Sequence, residues 1–151
     1  MYQSILVPLD GSAPSQRGLQ QALGLARAFG ARLLLLHVID DFPQHLELAP
    51  AEAWQRALQR LRKRGEALLQ AAAGLAAEAG VPADTRLVEI GERSVGDAIV
   101  EQARVSPCQL IVMGTHGRRG LQRLAMGSDA EVVLRTSPVP VLLVRQGDAS
   151  A

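Results

Sequence analysis

The sequence predicts a doubly wound α/β fold, with a five-stranded parallel sheet and helices on both of its faces. Apolar runs of strand length alternate with amphipathic stretches along all 151 residues. The runs are apolar at consecutive positions, as in strands that are buried on both faces. No linker, internal repeat or low-complexity tract interrupts the alternation, so residues 1–151 are expected to form one domain.

The first half of the chain supplies two strands and two helices. A short apolar strand over 5–9 ends in a turn, and a helix follows it. A run over 33–39, broken only by His37, predicts a second strand, and a polar loop over 40–51 comes next. The longest helix then covers roughly 52–79.

The long helix carries a stripe of apolar residues at alternating spacings of four and three. Such a stripe packs on a sheet in an α/β fold, and the same spacing occurs in coiled-coil seams. Glycine and alanine would make a weak seam, so we favour packing on the sheet. The stripe consists of Trp54, Leu58, Leu61, Gly65, Leu68, Ala72, Leu75 and Ala79.

The second half of the chain supplies three strands and two helices. Apolar runs predict strands over 85–90, 110–113 and 139–144, and amphipathic stretches predict helices over 94–103 and 128–135. Ser94 with Asp97, and Ser128 with Glu131, have the spacing of capping boxes that would start these two helices.

Composition excludes several classes of protein. A 48% hydrophobic and 21% charged chain favours a folded globule over disorder. The net charge of +1 argues against nucleic acid or an anionic membrane as a partner. Cys108 is the only cysteine, so it excludes an intramolecular disulfide and a multi-cysteine zinc site, and we expect it to pack at the start of the fourth strand. With neither a signal peptide nor a membrane-length apolar run, we expect a cytoplasmic location.

Ligands of open α/β sheets bind beyond the carboxyl ends of the strands, where the strand order reverses. The loops expected at that edge cover 10–12, 40–51, 91–93 and 114–127. The last of these has the composition of a phosphate-binding segment, because Gly114, Gly117 and Gly127 let backbone amides approach an anion. Gly127 and Ser128 then open a helix whose free amides and dipole favour phosphate.

The loop differs from two common nucleotide motifs. It contains neither the Gly-Lys-Ser/Thr of a Walker loop nor the Gly-x-Gly-x-x-Gly of a dinucleotide fold. Arg118 and Arg119 could donate charge-assisted hydrogen bonds to phosphate, and equally could form a solvated loop tip. We interpret His116 as a loop residue without a catalytic role, because no nucleophile with a positioned acid accompanies it. His45 with Asp40 and Asp41 has no recognised metal-ligand spacing.

The glycine spacing does match another signature. Gly114, two residues, Gly117, nine residues and Gly127-Ser128 resemble the ATP-binding motif of the universal stress protein family. The segments 5–12, 110–114 and 138–144 are similar to the first strand and turn, fourth strand and fifth strand of that family. The resemblance covers essentially the whole chain.

The resemblance implies a sheet in the order 3-2-1-4-5 and a bound ATP, AMP or other adenine nucleotide, with Mg²⁺ as a companion of the phosphates. The phosphates would lie on residues 114–128, which include Thr115 and His116. The ribose and adenine would meet the remaining implied residues, which are Asp10 for the ribose and Pro8, Leu9, Val38 and Met113 for the base. Independently, a carboxylate after the first strand is a suitable acceptor for ribose hydroxyls, although Asp-Gly is also a common turn.

The resemblance further implies a homodimer that forms through the last strand. Val139, Val141 and Leu143 put apolar side chains on one face of an expected edge strand, which favours a partner there. Two departures from the family pattern stand out. Gln109 occupies a common aspartate position before the fourth strand, and Asp129 follows Ser128 where the family has a small or apolar residue. Asp129 would either weaken triphosphate binding or hold a divalent metal beside the phosphates.

Three functions compete on this sequence. The favoured one is an ATP-binding regulatory or stress-response protein. The second is a slow ATPase or another nucleotide-dependent enzyme, for which only the two loop arginines offer transition-state contacts. The third is a ligand-free dimeric interaction module.

Overall fold

Strands and helices alternate along the chain in a computed structural model, which describes residues 1–40, 50–116 and 126–146. The strands of this described part are β1 (Ser4–Pro8), β2 (Arg32–Ile39), β3 (Ala83–Glu89), β4 (Leu110–Gly114) and β5 (Val141–Val144). The helices are α1 (Ala13–Phe29), α2 (Ala51–Glu78), α3 (Val95–Val105) and α4 (Ser128–Thr136). Every predicted element is present.

The strands form one parallel sheet in the order β3-β2-β1-β4-β5. Leu6 of β1 lies opposite Leu34 of β2 on one side and Ile111 of β4 on the other. Each crossover helix returns the chain to the same edge, so all strands end together. The predicted strand order is therefore confirmed.

Alternate side chains of the central strands enter two separate cores. Ile5 and Val7 pack with α1 and α2 on one face of the sheet, and Leu6 packs with α3 and α4 on the other. Both faces of β1 are buried, which explains why its run is apolar at consecutive positions. Helices cover both faces, as the doubly wound fold requires.

Helix α2 packs on the sheet and is not a coiled-coil strand. Its buried positions are Gly65, Leu69, Ala72 and Ala76, and Leu69, Ala72 and Ala76 belong to the core beneath β1 and β2. The predicted stripe is one residue out of phase toward its end, because Leu75 is exposed while Ala76 is fully buried. A Cβ atom on Gly65 would lie 2.7 Å from the side chains of His37 and Leu87, so glycine permits the close approach of α2 to β2 and β3.

Some strand boundaries differ from the prediction by one or two residues. Strand β1 ends at Pro8, although Leu9 beyond it is also buried. The predicted start of the last strand at Val139 is wrong, because the backbone there is engaged in a turn. The Ser137 hydroxyl donates to the Val139 carbonyl at 2.7 Å and accepts from the Val139 amide at 3.2 Å. Strand β5 begins two residues later.

The apolar face predicted to await a partner is partly covered by this chain. Val139, Val141 and Leu143 pack against the core that α3 and α4 share. The more exposed side chain of β5 is Leu142, with 39% of its surface accessible. None of the helices in the described part of the chain is both long and apolar enough to cross a membrane.

Candidate functional site

A cavity of about 600 Å³ opens at the carboxyl ends of the strands. It lies beside the ends of β1 and β4, where the strand order reverses. Strands β2 and β3 lie on one side of this point, and β5 lies on the other. This is the position at which open α/β sheets bind ligands. Its walls are formed by Pro8, Leu9, Asp10, Ser15, Leu36, Val38, Asp40, Ser94, Val95, Ile99, Met113, Gly114, His116, Gly127, Ser128, Asp129 and Ala130.

Asp10 forms one wall of the cavity, immediately after β1. Its Oδ1 accepts a hydrogen bond from the Ser12 amide at 2.9 Å, across Gly11, whose φ of +83° favours glycine. The Asp10 amide itself donates to Ser15 Oγ at 3.4 Å. The predicted turn is therefore present, and its hydrogen bond from the Ser12 amide fixes the Asp10 carboxylate at the cavity.

His37 lies on the opposite face of the sheet and supports this wall through the backbone of Leu9. The imidazole is buried, and its Nδ1 lies 2.7 Å from the Leu9 carbonyl oxygen. Because a carbonyl only accepts, Nδ1 carries the proton. The Leu9 amide donates to the Leu36 carbonyl at 2.8 Å, so the residue before Asp10 is bonded at both of its backbone groups. His37 is therefore a packed residue within β2.

The start of α4 forms another part of the wall. The predicted capping box of Ser128 and Glu131 is wrong, because Gly127 is the N-cap and no side chain caps the helix. The chain enters the helix one residue earlier than that pattern requires, and the Glu131 carboxylate is instead 2.9 Å from Arg135. A glycine cap has no side-chain acceptor, so no described side chain caps the first turn, which borders the cavity.

Apolar side chains form the remaining surface of the cavity. Val38 of β2 and Met113 of β4 lie there as predicted, together with Pro8 and Leu9. Leu36 and Ile99 add to this surface, and sequence reasoning missed both. A flat apolar group such as a nucleobase fits a surface of this kind.

Asp129 joins the starts of the two helices that border the cavity. Its Oδ1 accepts from the Gly96 amide of α3 at 2.9 Å. The predicted capping box of α3 is confirmed, since Ser94 Oγ accepts from the Asp97 amide at 3.1 Å and the Asp97 carboxylate accepts from the Ser94 amide. The Asp129 carboxylate is thus an additional acceptor for the first turn of α3.

Thr115 lies behind the cavity and not in its wall. Its amide donates to the Val144 carbonyl at 3.0 Å, and its carbonyl accepts from the Gly127 amide at 2.8 Å. A hydrogen bond of 2.9 Å joins its Oγ1 to Nδ1 of His116, which does line the cavity. The Thr115–Gly127 bond ties together the two ends of the glycine-rich loop.

Three predicted residues of the loop, Gly117, Arg118 and Arg119, lie outside the described part of the chain. So do Asp41 and His45, which have no recognised metal-ligand spacing in the sequence. Of the predicted residues that the structure describes, all but Thr115 line the cavity.

Sequence reasoning missed seven wall residues, and a signal existed for one of them. Asp40 follows β2 as Asp10 follows β1, so the rule that placed Asp10 at this edge applies equally to it. The others are Ser15, Leu36, Ser94, Val95, Ile99 and Ala130, which resemble ordinary core or capping residues in sequence.

The described part of the wall is acidic. Asp10, Asp40 and Asp129 contribute three carboxylates, and no lysine or arginine accompanies them among the described wall residues. Within this described part, the backbone amides at the starts of α3 and α4 contribute positive potential. In the described ranges, no group of three or more His, Cys, Asp or Glu side chains could hold a metal ion.

Cys108 lies away from the cavity and packs in the core as expected. It is buried, and its thiol donates to the Ala103 carbonyl at 3.6 Å. Burial raises the pKa of the Cys108 thiol, so the thiol stays protonated at neutral pH.

Comparison with known proteins gives concordant matches. The model of the universal stress protein family matches residues 1–145. A universal stress protein of Thermus aquaticus is 37% identical over 147 residues, which cover 96% of this chain and 100% of that protein. A solved member of the family from Burkholderia pseudomallei has a TM-score of 0.74 and 33% identity, over 95% of this chain and 96% of that chain. A universal stress protein solved in complex with cAMP has a TM-score of 0.71 and 29% identity, over 97% of this chain and 99% of that chain.

Proposed function

Since the chain belongs to the universal stress protein family, we propose that it is a regulatory protein that binds an adenine nucleotide in the cavity at the strand ends. ATP, which the glycine motif suggests, AMP and cAMP are all members of that ligand class. Mg²⁺ would accompany a polyphosphate through its oxygens.

One observation carries the proposal: a carboxylate and a helix N-terminus that no described side chain caps line the same cavity. Asp10 supplies oxygens that accept from ribose hydroxyls. The first-turn amides of α4 favour a phosphate. The volume of about 600 Å³ lies within the range of roughly 300–1,000 Å³ that small-molecule sites occupy.

The apolar surface accounts for the third part of a nucleotide. Val38 and Met113 come from the ends of β2 and β4, the strands on either side of β1, and the helix residue Ile99 lines the same cavity. A base that rests on these side chains leaves its sugar near Asp10. That the relative named above is a complex with cAMP supports adenine as the base.

The proposal is tested by titrating AMP, ATP and cAMP into the purified protein by calorimetry, after bound nucleotide has been removed and identified by chromatography. Asp10→Asn keeps one oxygen for the Ser12 amide and replaces the other by a donor, so the turn is retained while ribose recognition is lost. We expect the affinity to fall at least about tenfold, the equivalent of losing one hydrogen bond to a charged group.

Asp84→Asn is the matched control. Asp84 lies near the opposite ends of the strands, where it pairs with Arg32 at 2.7 Å on the surface. This change removes the same charge from the protein without touching the cavity. Equal affinities for the two variants, or no binding of any adenine nucleotide at millimolar concentration, would refute the proposal.

We further propose that two copies of the chain associate through β5. This strand is an edge of the sheet and pairs only with β4 among the described strands. Its outer backbone groups therefore have no strand partner in the described fold, and Leu142 adds an exposed apolar side chain. Light scattering should report a dimer that Leu142→Arg weakens, whereas Val105→Arg, at a 62% exposed valine of α3, should leave it intact. A monomeric wild type would contradict the idea.

A further inference from the structure

We propose that Asp129 is a specificity-determining residue, whose carboxylate favours adenine nucleotides with one phosphate group over those with three. This inference rests on the proposed function, since it concerns the phosphate end of the same cavity. It assigns the ligand class as nucleoside monophosphates, open or cyclic.

Two helix N-termini reach this cavity, and each could in principle attract a phosphate. Ser94 and Val95 belong to the start of α3, and Gly127 and Ser128 belong to the start of α4. Both helices present the positive ends of their dipoles there. A polyphosphate chain that reached from one helix to the other would use both.

The start of α3 is already occupied by acceptors from the protein. The Gly96 amide donates to Asp129 Oδ1, and the Asp97 amide donates to Ser94 Oγ. Asp129 therefore takes the place that a second phosphate would need, and brings a negative charge to it. Among the described residues, the start of α4 has no side-chain cap, whereas the start of α3 has two side-chain acceptors.

Tight packing holds Asp129 in this arrangement. Gly96 is buried, and a Cβ atom there would lie 2.8 Å from Val132 Cβ and 3.1 Å from the Asp129 carbonyl oxygen. The absence of a side chain at Gly96 thus brings the two helix starts together. Moving the carboxylate aside would leave the buried Gly96 amide without its acceptor, which costs free energy.

The charge of the Asp129 carboxylate acts in the same direction. Each further phosphate adds negative charge close to Asp129. Because partly buried charges interact through an effective dielectric constant of about 20, one such repulsion changes an affinity by roughly tenfold or more.

The test measures the ratio of AMP to ATP affinity by calorimetry, with Mg²⁺ present and absent. Asp129→Asn keeps the side-chain oxygen that accepts from Gly96 and removes only the charge, so the helix contact survives. We expect the wild type to bind AMP more tightly than ATP. In the variant, ATP affinity should rise about tenfold while AMP affinity changes by less than about threefold.

Asp84→Asn again controls for the change in net charge and should leave the ratio unchanged. A second measurement needs no variant. In the wild type, raising the salt concentration to about 0.5 M shortens the Debye length and should narrow the AMP preference.

The outcomes separate this inference from the function on which it rests. An AMP to ATP ratio that Asp129→Asn leaves within twofold, or a wild type that prefers ATP, overturns the role of Asp129 while nucleotide binding stands. If neither AMP nor ATP binds to the wild type or to the variant, the proposed function fails, and the inference fails with it.

Discussion

Two glycines of α2 should respond oppositely to the same substitution. Both lie within the helix, and alanine has the higher helix propensity by about 1 kcal/mol. A Cβ atom at Gly74 meets nothing within 4 Å, whereas one at Gly65 lies 2.7 Å from His37 Cδ2 and from Leu87 Cδ1. Gly74→Ala therefore isolates the propensity, and Gly65→Ala adds a collision to it.

The size of the collision follows from what the neighbours can do. Ordinary contact begins at 3.4 Å, so the new methyl and the imidazole must separate by about 0.7 Å. The end of the Leu87 side chain can rotate away, but the His37 ring is held by its 2.7 Å hydrogen bond to the Leu9 carbonyl. Overpacking of this kind costs about 1–3 kcal/mol. We expect Gly74→Ala to raise the free energy of unfolding by up to about 1 kcal/mol. The free energy of unfolding of Gly65→Ala should be about 2 kcal/mol lower than that of Gly74→Ala.

Urea unfolding followed by far-ultraviolet circular dichroism measures both values. The comparison is valid if the dependence of the unfolding free energy on urea is the same for both variants. Equal stabilisation by the two substitutions would show that α2 does not pack closely against a fixed His37 ring, and would refute this reasoning.

Three further predictions concern other contacts. Gly114→Ala should destabilise the fold by about 2 kcal/mol or more in thermal unfolding, because its Cβ would lie 2.7 Å from the backbone carbon of Pro14; the open position Gly91→Ala should lack this loss, and equal melting temperatures would contradict the contact. Ser94→Ala should cost about 1 kcal/mol in urea unfolding, since it removes the cap of α3, and an unchanged midpoint would contradict that role. Burial raises the pKa of the Cys108 thiol, so iodoacetamide at pH 8 should modify the native protein at least about tenfold more slowly than the urea-unfolded chain. Equal labelling rates would argue against burial. Because the thiol of the unfolded chain ionises at a lower pH than the buried thiol, burial of the neutral thiol contributes its full stability below about pH 8.5, and this contribution is lost as the pH rises further.

The fold could be predicted from the sequence because its signals are local and repeated. Each strand is an apolar run, and helix starts such as Ser94 carry their own capping pattern. The position of Asp10 followed from the rule that parallel strands end at one edge. These inferences need only the order of elements along the chain.

The features that the sequence did not predict, or predicted wrongly, depended on contacts between distant residues or on competing local bonds. The bond from Gly96 to Asp129 spans 33 positions and leaves no trace in either local pattern. The Ser128 capping pattern was misleading because Gly127 begins the helix and Arg135 takes the Glu131 carboxylate. The apolar residues near β5 were correctly identified as a face, but whether a partner or the chain itself covers them depends on where α3 and α4 pack.

The cavity draws its walls from residues 8–10 and residues 127–130, which are far apart along the chain. During synthesis at about 5–20 residues per second, the second group follows the first by roughly 6–23 s. A nascent chain therefore contains Asp10 long before it contains the start of α4. A ligand that needs both walls stabilises by mass action only chains that have passed this point. Nucleotide in the surrounding solution would then distinguish completed copies from those that stop before residue 127, and would protect only the former from unfolding and proteolysis.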